Sequence, residues 1–272
     1  MSSYLITGAS RGLGFEFLRQ LSGNPNNVVV GLVRDKATTD KKVAAEINRP
    51  NIHIVQADMT DYDSLKKTVD AVGSIVNGSL DHIIANAAYL GGSSQFDPIG
   101  VVGEEDPKGL EHDMLECFKV NVLGNVHLFN LYLPLILKGR AKKVITISSG
   151  MGDINLAREY KLALSAPYSI SKTAMNAATA KFHAQYADQG VLFLNICPGV
   201  VDTGILTGAS EEQLKSVMAQ SEKFQKYSPR FQGPATPAHS VGKILEQVNL
   251  ASLEAGYGGE FIPHLGKGEK WL

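Results

Sequence analysis

The chain has 272 residues, of which 44% are hydrophobic and 19% are charged, and its formal net charge is -1 at pH 7. This composition is typical of globular proteins and excludes the strongly basic surface that nucleic acid or an anionic membrane would require. With neither an apolar leader nor an apolar run long enough to span a membrane, the sequence predicts a cytoplasmic protein and gives no reason to expect a membrane partner.

Short apolar runs rich in Val and Ile alternate with longer amphipathic segments along the whole chain. The apolar runs predict strands at 4–7, 28–33, 52–57, 82–85, 143–148, 191–197 and 260–263. The amphipathic segments predict helices at 12–22, 62–77, 104–138, 168–188, 211–226 and 237–249. Strands that are apolar on both faces indicate a parallel sheet covered on both sides.

This alternation predicts an α/β fold, a single-domain Rossmann-type doubly wound parallel sheet of about seven strands with helices on both faces. One domain would cover residues 1–272, with a cofactor half at about 1–140 and a catalytic and substrate half at about 141–272. The two cysteines, Cys117 and Cys197, lie in apolar stretches and are expected to be buried free thiols.

A glycine-rich turn separates the first predicted strand from the first predicted helix, with glycines at Gly8, Gly12 and Gly14. Glycines let the backbone approach a pyrophosphate, and the following helix N-terminus offers unpaired N–H groups and a positive dipole end. The placement predicts a dinucleotide site, with Ser10 and Leu13 of the same turn among its contacts. A simple tight turn is the alternative.

Two arginines indicate which dinucleotide would bind. Arg34 follows the second predicted strand and Arg11 lies inside the glycine turn, so two guanidinium groups could clamp a 2′-phosphate. This favours NADP or NADPH over NAD, unless both arginines are merely solvated or Asp35 faces the ribose instead. Asp58 and Met59 end the third strand where the adenine should lie, although Asp58 could equally cap the next helix.

The fourth predicted strand ends in small residues at Asn86 and Ala87. Asparagine can bond to backbone across the cleft, and alanine lets the cofactor ribose approach. The sixth strand ends at Pro198 and Gly199, which would turn the chain over the nicotinamide, with Val201 and Thr203 following. An ordinary strand-ending turn explains the same residues without a ligand.

Loops are predicted at 89–97, 150–167 and 203–237, after strand ends where open α/β sheets bind ligands. We therefore predict a substrate pocket with this lining: Tyr89, Leu90, Gly150, Met151, Ile205 and Leu206. These side chains could equally anchor the loops to the core.

A phenol and an ammonium group lie one helical turn apart at Tyr168 and Lys172. A nearby cation lowers the pKa of a phenol and makes it a usable proton donor or acceptor. Strand alternation places either Ser148 or Ser149 at the cleft, where a hydroxyl could hold a substrate carbonyl. Asn121 is a core asparagine or a residue with a partner near the cleft.

Together these residues resemble the short-chain dehydrogenase/reductase family. The glycine turn resembles its cofactor motif, Asn86 its Asn-Ala-Gly motif with Ala88 in place of the glycine, and Pro198-Gly199 its nicotinamide turn. Within the family, the turn at 195–203 and a tail that ends near Trp271 are most similar to the sniffer-type carbonyl reductases.

The resemblance implies an NADPH-dependent oxidoreductase that reduces a ketone or aldehyde of a small to medium, largely apolar substrate. It implies that Tyr168 donates the proton, that Lys172 binds the nicotinamide ribose and lowers the pKa of Tyr168, that Ser149 orients the carbonyl, and that Asn121 holds a water in a proton relay. The strand-end alignment favours Ser149 over Ser148.

Two other functions remain open on the same fold, a non-redox cyclase, dehydratase or isomerase and a non-catalytic NADP-binding regulator. Relatives usually pair through the helix that carries the tyrosine, which implies a homodimer or homotetramer, although the alanines there would equally suit packing on the sheet. The histidines show no metal-ligand spacing, so we predict no metal.

Overall fold

The computed structural model describes residues 2–204 and 209–272. The predicted pocket residues Ile205 and Leu206 lie outside the described residues. Within those residues, seven parallel strands form one sheet in the order β3-β2-β1-β4-β5-β6-β7. The strands are β1 Ser3–Thr7, β2 Val28–Val33, β3 Ile52–Gln56, β4 His82–Ala85, β5 Lys143–Ile147, β6 Leu192–Cys197 and β7 Phe261–Pro263.

Helices cover both faces of this sheet, which confirms the predicted fold class. The helices are α1 Gly12–Leu21, α2 Lys36–Glu46, α3 Tyr62–Ile75, α4 Ile99–Glu105, α5 Pro107–Phe118, α6 Gly124–Ile136, α7 Ile154–Tyr160, α8 Ala166–Tyr186, α9 Glu211–Tyr227 and α10 Pro237–Leu250. Leu18 of α1 and Ile244 of α10 are buried on one face, and Leu65 of α3 and Phe129 of α6 are buried on the other. No helix in the part of the chain that the structure describes is long and apolar enough to cross a membrane.

The order of the strands reverses between β1 and β4, and this arrangement positions the site. In a parallel sheet the two crossovers that leave this point run to opposite faces, which opens a crevice at the carboxyl ends of the strands. The turns after β1, β4, β5 and β6 all begin at that edge of the sheet.

The predicted continuous helix at 104–138 is wrong. Helix α4 ends at Glu105, and Asp106 caps α5 by accepting from the Gly109 N–H at 2.9 Å. Pro107 has no N–H to continue the preceding helix, but it suits the first turn of a new one. A π-helical turn at Lys119–Leu123 then separates α5 from α6.

Three α-helices of the described residues were not predicted. Helix α4 shares only its last two residues with the predicted 104–138 helix. Helix α2 buries Thr39 and Val43, which is too little apolar periodicity to be detected in the sequence. Helix α7 lies inside the predicted 150–167 loop, and Asp153 begins it by accepting from the N–H groups of Asn155 and Leu156.

Candidate active site

The glycine turn between β1 and α1 packs against the end of β4. Gly8 has a φ of +67°, and a Cβ there would lie 2.8 Å from the Cα of Ala87. A Cβ on Gly14 would collide with the carbonyl oxygen of Gly8 and would lie 2.7 Å from Nδ2 of Asn86. Glycine is therefore required at both positions, and the turn presents backbone rather than side chains to the crevice.

The N-terminus of α1 has no side-chain cap among the described residues. Arg11 lies at the N-cap in an extended conformation, and its side chain makes no capping hydrogen bond within the described residues. The first N–H groups of a helix have no intrahelical partners and carry the positive end of its dipole. Ser10 and Arg11 are exposed, whereas Leu13 packs against the core. The glycine cradle and the uncapped helix end therefore fit the pyrophosphate of a dinucleotide.

Asn86 joins the end of β4 to the glycine turn. Its Nδ2 donates to the carbonyl oxygens of Thr7 and Gly8 at 3.0 and 3.3 Å. The backbone N–H groups of Asn86 and Ala87 both donate to the Thr7 hydroxyl at 3.0 Å. These bonds hold the two strand ends side by side, where the cofactor ribose is expected.

Charged residues gather at the far end of the glycine turn, beyond β2. Arg34 is exposed, and Lys42 donates to the Ser10 carbonyl oxygen at 3.4 Å. Asp35 caps α2, since its Oδ1 accepts from the Thr38 N–H at 3.0 Å. We call this end, with the glycine turn, the cofactor end of the cleft.

Asp58 and Met59 follow β3. Oδ1 of Asp58 accepts from the Thr60 N–H at 2.8 Å, and Met59 is buried. Burial alone would raise the pKa of Asp58, but the hydrogen bonds from Thr60 and the positive charge of Arg34 outweigh burial and lower that pKa below its usual value. The N-cap of α3 is Asp61, so the alternative capping role for Asp58 is wrong.

The turn after β6 reaches back to the glycine turn. Gly199 has a φ of +78°, and the Pro198 carbonyl oxygen accepts from the Ser240 hydroxyl at 2.7 Å. Val201 forms an isolated bridge with Ala235. A Cβ on Gly12 would lie 3.3 Å from Cγ2 of Thr203, so Thr203 is at the glycine turn.

Tyr168, Lys172 and Ser149 lie together at the other end of this cleft, which we call the chemical end. The Lys172 side chain is 3% exposed, and its Nζ donates to the Ile147 carbonyl oxygen at 2.7 Å. This Nζ lies 5.5 Å from the centre of the Tyr168 ring. Ser148 points away, because its hydroxyl is buried and donates to Oδ1 of Asn176 at 2.6 Å.

Burial controls the protonation of these groups. Burial raises the pKa of Tyr168 above its usual value, and a hydrogen bond with Ser149 acts in the opposite direction. Burial lowers the pKa of Lys172 to about 8. The lowering of the Tyr168 pKa by Lys172 that the resemblance implies is therefore not seen, because desolvation disfavours the charged form of both groups. Neutral Tyr168 can still donate a proton.

Asn121 lies in the π-helical turn and holds the loop after β4. Its Oδ1 accepts from the Tyr89 N–H, and its Nδ2 donates to the Tyr89 carbonyl oxygen, both at 2.8 Å. The same Nδ2 donates to the Ser171 hydroxyl at 2.9 Å, next to Lys172. Both N–H groups of this amide thus have protein partners, which leaves neither for the relay water that the resemblance implies.

Asp113 was not among the residues predicted from the sequence. It is 2% exposed and accepts from the Tyr89 hydroxyl at 3.0 Å and from the Gly92 N–H at 2.9 Å. Burial and the bond to Asp113 raise the pKa of Tyr89 to about 12. Asp113, Cys117 and Asn121 are spaced by four residues, so a polar stripe along the predicted helix was the available signal.

The remaining predicted pocket residues lie close to this end. Tyr89, Leu90 and Met151 are half-buried, and the Met151 N–H donates to the Ser149 hydroxyl at 3.2 Å. Gly150 is buried, and its N–H donates to Sγ of Cys197 at 3.0 Å.

Both cysteines are free and buried, as predicted. Burial raises the pKa of Cys197 to about 11 and that of Cys117 to about 12. Both side chains are therefore neutral thiols at neutral pH.

Comparison with known proteins identifies the family. The family model described as short chain dehydrogenase matches residues 3–214. The protein named short chain dehydrogenase virK from Hypocrea virens is 54% identical over 273 residues, covering 100% of each chain. The short-chain dehydrogenase/reductase iacC from Pestalotiopsis fici is 44% identical over 277 residues, again covering 100% of each chain.

Solved structures show the same fold. The NADPH-bound carbonyl reductase from chicken fatty liver has a TM-score of 0.77 at 24% identity, covering 100% of this chain and 99% of that one. The carbonyl reductase Sniffer of D. melanogaster has a TM-score of 0.76 at 22% identity, covering 98% of each chain. The predicted resemblance is thus confirmed, and the chain belongs to the short-chain dehydrogenase/reductase family of oxidoreductases.

Proposed function

We propose that this protein is an NADPH-dependent oxidoreductase that reduces a ketone or aldehyde to the alcohol, with Tyr168 as proton donor. The observation that carries the proposal is the buried Lys172 ammonium beneath Tyr168, with its Nζ 2.7 Å from the Ile147 carbonyl oxygen. A buried cation costs stability, and proton chemistry at the adjacent phenol is the reason to keep it there.

Tyr168, Ser149 and Lys172 each have a separate role in the proposed reaction. A bound reduced nicotinamide would supply the hydride for the carbonyl carbon. Tyr168 has its pKa raised by burial, so it is protonated at neutral pH and can donate to the carbonyl oxygen. Ser149 lies beside the phenol and orients that oxygen. Lys172 holds the ribose and stabilises the tyrosine anion left after proton transfer.

Asn121 acts in this proposal by fixing its neighbours. Its side-chain amide forms hydrogen bonds with the backbone N–H and carbonyl oxygen of Tyr89 and with the Ser171 hydroxyl. A relay water would have to bind the backbone carbonyl oxygen of Asn121, which also accepts a hydrogen bond from Nδ2 of Asn125 at 2.8 Å. We therefore assign Asn121 chiefly to holding the pocket loop against α8.

Three cations support NADPH over NADH. Arg11 and Arg34 are exposed beside the glycine turn, and Lys42 reaches the Ser10 carbonyl oxygen. Asp35, which would favour NADH by accepting from the ribose, is engaged as the cap of α2. Guanidinium groups suit a 2′-phosphate, and the chicken carbonyl reductase with this fold is NADPH-bound.

Half-buried side chains beside the chemical end support a small to medium, largely apolar substrate. Tyr89, Leu90 and Met151 are the half-buried members of the predicted lining, and Gly150 is a buried member. For assembly, exposed Leu115 and Phe118 of α5 and exposed Ile170 of α8 favour a homodimer or homotetramer, which light scattering of the purified protein would measure.

The proposal is tested by following NADPH consumption with a panel of ketones and aldehydes. Tyr168→Phe keeps the ring and removes the proton, so kcat should fall by roughly 10²–10⁴-fold. The Kd for NADPH, measured by fluorescence titration, should stay within a few-fold of that of the native protein.

Two results would contradict the proposal. Substrate turnover that leaves NADPH untouched would favour a cyclase, dehydratase or isomerase. A Tyr168→Phe protein that keeps its full biological effect would favour a non-catalytic NADP-binding regulator.

A further inference from the structure

Trp271, near the end of the chain, packs directly against the turn that carries Ser149. A Cβ on Gly150 would lie 3.0 Å from both Cβ and Cγ of Trp271, so glycine is needed for the indole to lie this close. Gly150 immediately follows Ser149 and begins the 3-10 turn Gly150–Gly152. The tail therefore covers one side of this turn.

The other side of the turn rests on the helix that carries Lys172. A Cβ on Gly152 would lie 3.1 Å from the Thr173 nitrogen and 3.3 Å from the Lys172 carbonyl carbon. The Thr173 hydroxyl also donates to the Gly152 carbonyl oxygen at 2.9 Å. The turn after Ser149 is thus held between the indole and α8.

Directional contacts fix the indole in place. Nε1 of Trp271 donates to Oδ2 of Asp153 at 2.8 Å, and its backbone N–H donates to the Tyr227 hydroxyl at 3.0 Å. Its ring stacks on Phe261 with centroids 4.2 Å apart and planes at 21°. The contacts link the tail to the 150–167 segment, to α9 and to β7, which makes the indole a rigid support.

Ser149 depends on the same turn for its orientation. Its hydroxyl accepts from the Met151 N–H at 3.2 Å, and its carbonyl oxygen accepts from the Gly152 N–H at 2.8 Å. A turn that loses its outer support can tilt, and both bonds would then shift the hydroxyl relative to Tyr168.

We propose that Trp271 is a positioning residue that holds the Ser149 hydroxyl toward the carbonyl site by pressing the Gly150–Gly152 turn onto α8. This inference rests on the proposed reductase function for its kinetic readout. Misplacing a group by about 1 Å costs up to roughly 10²-fold in rate, so the expected effect is large enough to measure.

The test compares Trp271→Ala with Trp271→Phe in the full-length protein. Trp271→Ala should lower kcat for the reduction of a ketone substrate by roughly tenfold to a hundredfold, while the Kd for NADPH stays unchanged. Trp271→Phe keeps a flat ring against Phe261 and Gly150 and should recover most of that kcat. Trp271→Leu replaces Trp271→Ala if the alanine variant does not fold.

A double-mutant cycle identifies the route of the effect. If Trp271 acts through Ser149, Trp271→Ala should cost much less kcat in a Ser149→Ala background than in the native one. Equal losses in the two backgrounds would overturn the inference.

Phe182→Leu is the matched control. Phe182 stacks on Phe193 with centroids 5.3 Å apart, and it lies about 15 Å along α8 from Lys172. Its loss should lower the melting temperature without changing kcat.

A second readout does not require turnover. Amide hydrogen exchange in the peptide that spans residues 149–153 should accelerate in Trp271→Ala and stay unchanged in Phe182→Leu. Unchanged exchange in Trp271→Ala would refute the support role even if no carbonyl were reduced. Accelerated exchange in a protein that reduces no carbonyl would instead count against the proposed function alone.

Trp271 is also the only tryptophan in the chain. Its fluorescence therefore reports on this support without labelling, and Asp153→Asn should shift the emission by weakening the indole hydrogen bond. An unchanged spectrum would contradict the contact between Nε1 and Asp153.

Discussion

The side chains at the two ends of the cleft differ in their exposure and in what holds them. At the cofactor end, Arg11 and Arg34 are exposed, and the surface between them is backbone made accessible by glycines. At the chemical end, Lys172 is 3% exposed, and Ser149 is positioned by a turn packed between α8 and Trp271. Exposed charges are screened and individually weak, whereas a buried charge is costly and sensitive to every neighbour.

This difference implies that the two ends respond differently to substitution. At the cofactor end, single changes should alter affinity by modest factors that depend on salt. At the chemical end, single changes should alter turnover by large factors, and their effects on protein stability should not follow their effects on activity.

Lys172→Met should abolish most turnover and yet cost little stability. Turnover should fall by roughly 10²–10⁴-fold, because Tyr168, the proposed proton donor, loses the cation beside it. Replacing a buried charge with an apolar side chain of similar volume is often neutral or stabilising. Urea unfolding at pH 7 should therefore give a free energy of unfolding no lower than that of the native protein. Lys181→Met, at an exposed lysine on the same helix, is the control.

The pH dependence of unfolding tests whether Lys172 is buried as a cation. In the folded protein burial lowers the pKa of Lys172 to about 8, from 10.5. Between these values the unfolded chain binds the proton and the folded chain does not, so this group makes the folded state more stable as pH rises. Below pH 8 the full cost, on the order of 3 kcal/mol, is present. The stability advantage of Lys172→Met should shrink toward pH 10, and a constant difference would contradict the buried-cation account.

Ser149→Ala and Ser148→Ala should separate chemistry from packing. Removing a hydroxyl that stabilises a reacting oxygen typically costs roughly 10²–10³-fold, so kcat/KM should fall by that order in Ser149→Ala. Ser148→Ala removes the buried hydroxyl that donates to Oδ1 of half-buried Asn176, and it should instead lower the free energy of unfolding by about 1 kcal/mol. If Ser148→Ala lost more turnover than Ser149→Ala, the assignment of the two serines would be reversed.

The fold was largely predictable because its signal is local. Each strand is a run that is apolar on both faces, and all seven predicted runs became strands of one sheet. Helix α2 was missed because its buried face consists of Thr39 and Val43. The break before Pro107 was missed because amphipathic spacing continues across it, although the proline was visible in the sequence.

The geometry of the candidate site was predictable only where residue type and spacing along one element determine it. Tyr168 and Lys172 lie four residues apart on one helix, so their proximity follows from helix geometry. The contact between Gly150 and Trp271 joins residues far apart in the chain, and no local pattern encodes it. Protonation also depends on burial, which the sequence does not show directly. Burial raises the pKa of Tyr168, whereas the resemblance implied a lowered pKa.

The smallest effect is expected at the cofactor end, from Arg34→Asp combined with Arg11→Ala. Each charge-assisted contact to a phosphate contributes about 1.5–3 kcal/mol, so each is worth at least about tenfold in affinity. Because the double variant removes both contacts, the ratio of kcat/KM with NADPH to that with NADH should fall by roughly tenfold to a hundredfold, and kcat should change little. Arg158→Ala, at an exposed arginine on α7, should leave the ratio unchanged.

Salt provides an independent check on this end. Because Arg11 and Arg34 are exposed, their attraction for a 2′-phosphate is screened within about 10 Å at 0.1 M salt. The NADPH preference of the native protein should therefore decline as salt is raised, and that of the double variant should not. An unchanged cofactor ratio in the double variant would remove the 2′-phosphate argument, and Lys42, a third cation at the glycine turn, would be the next residue to substitute.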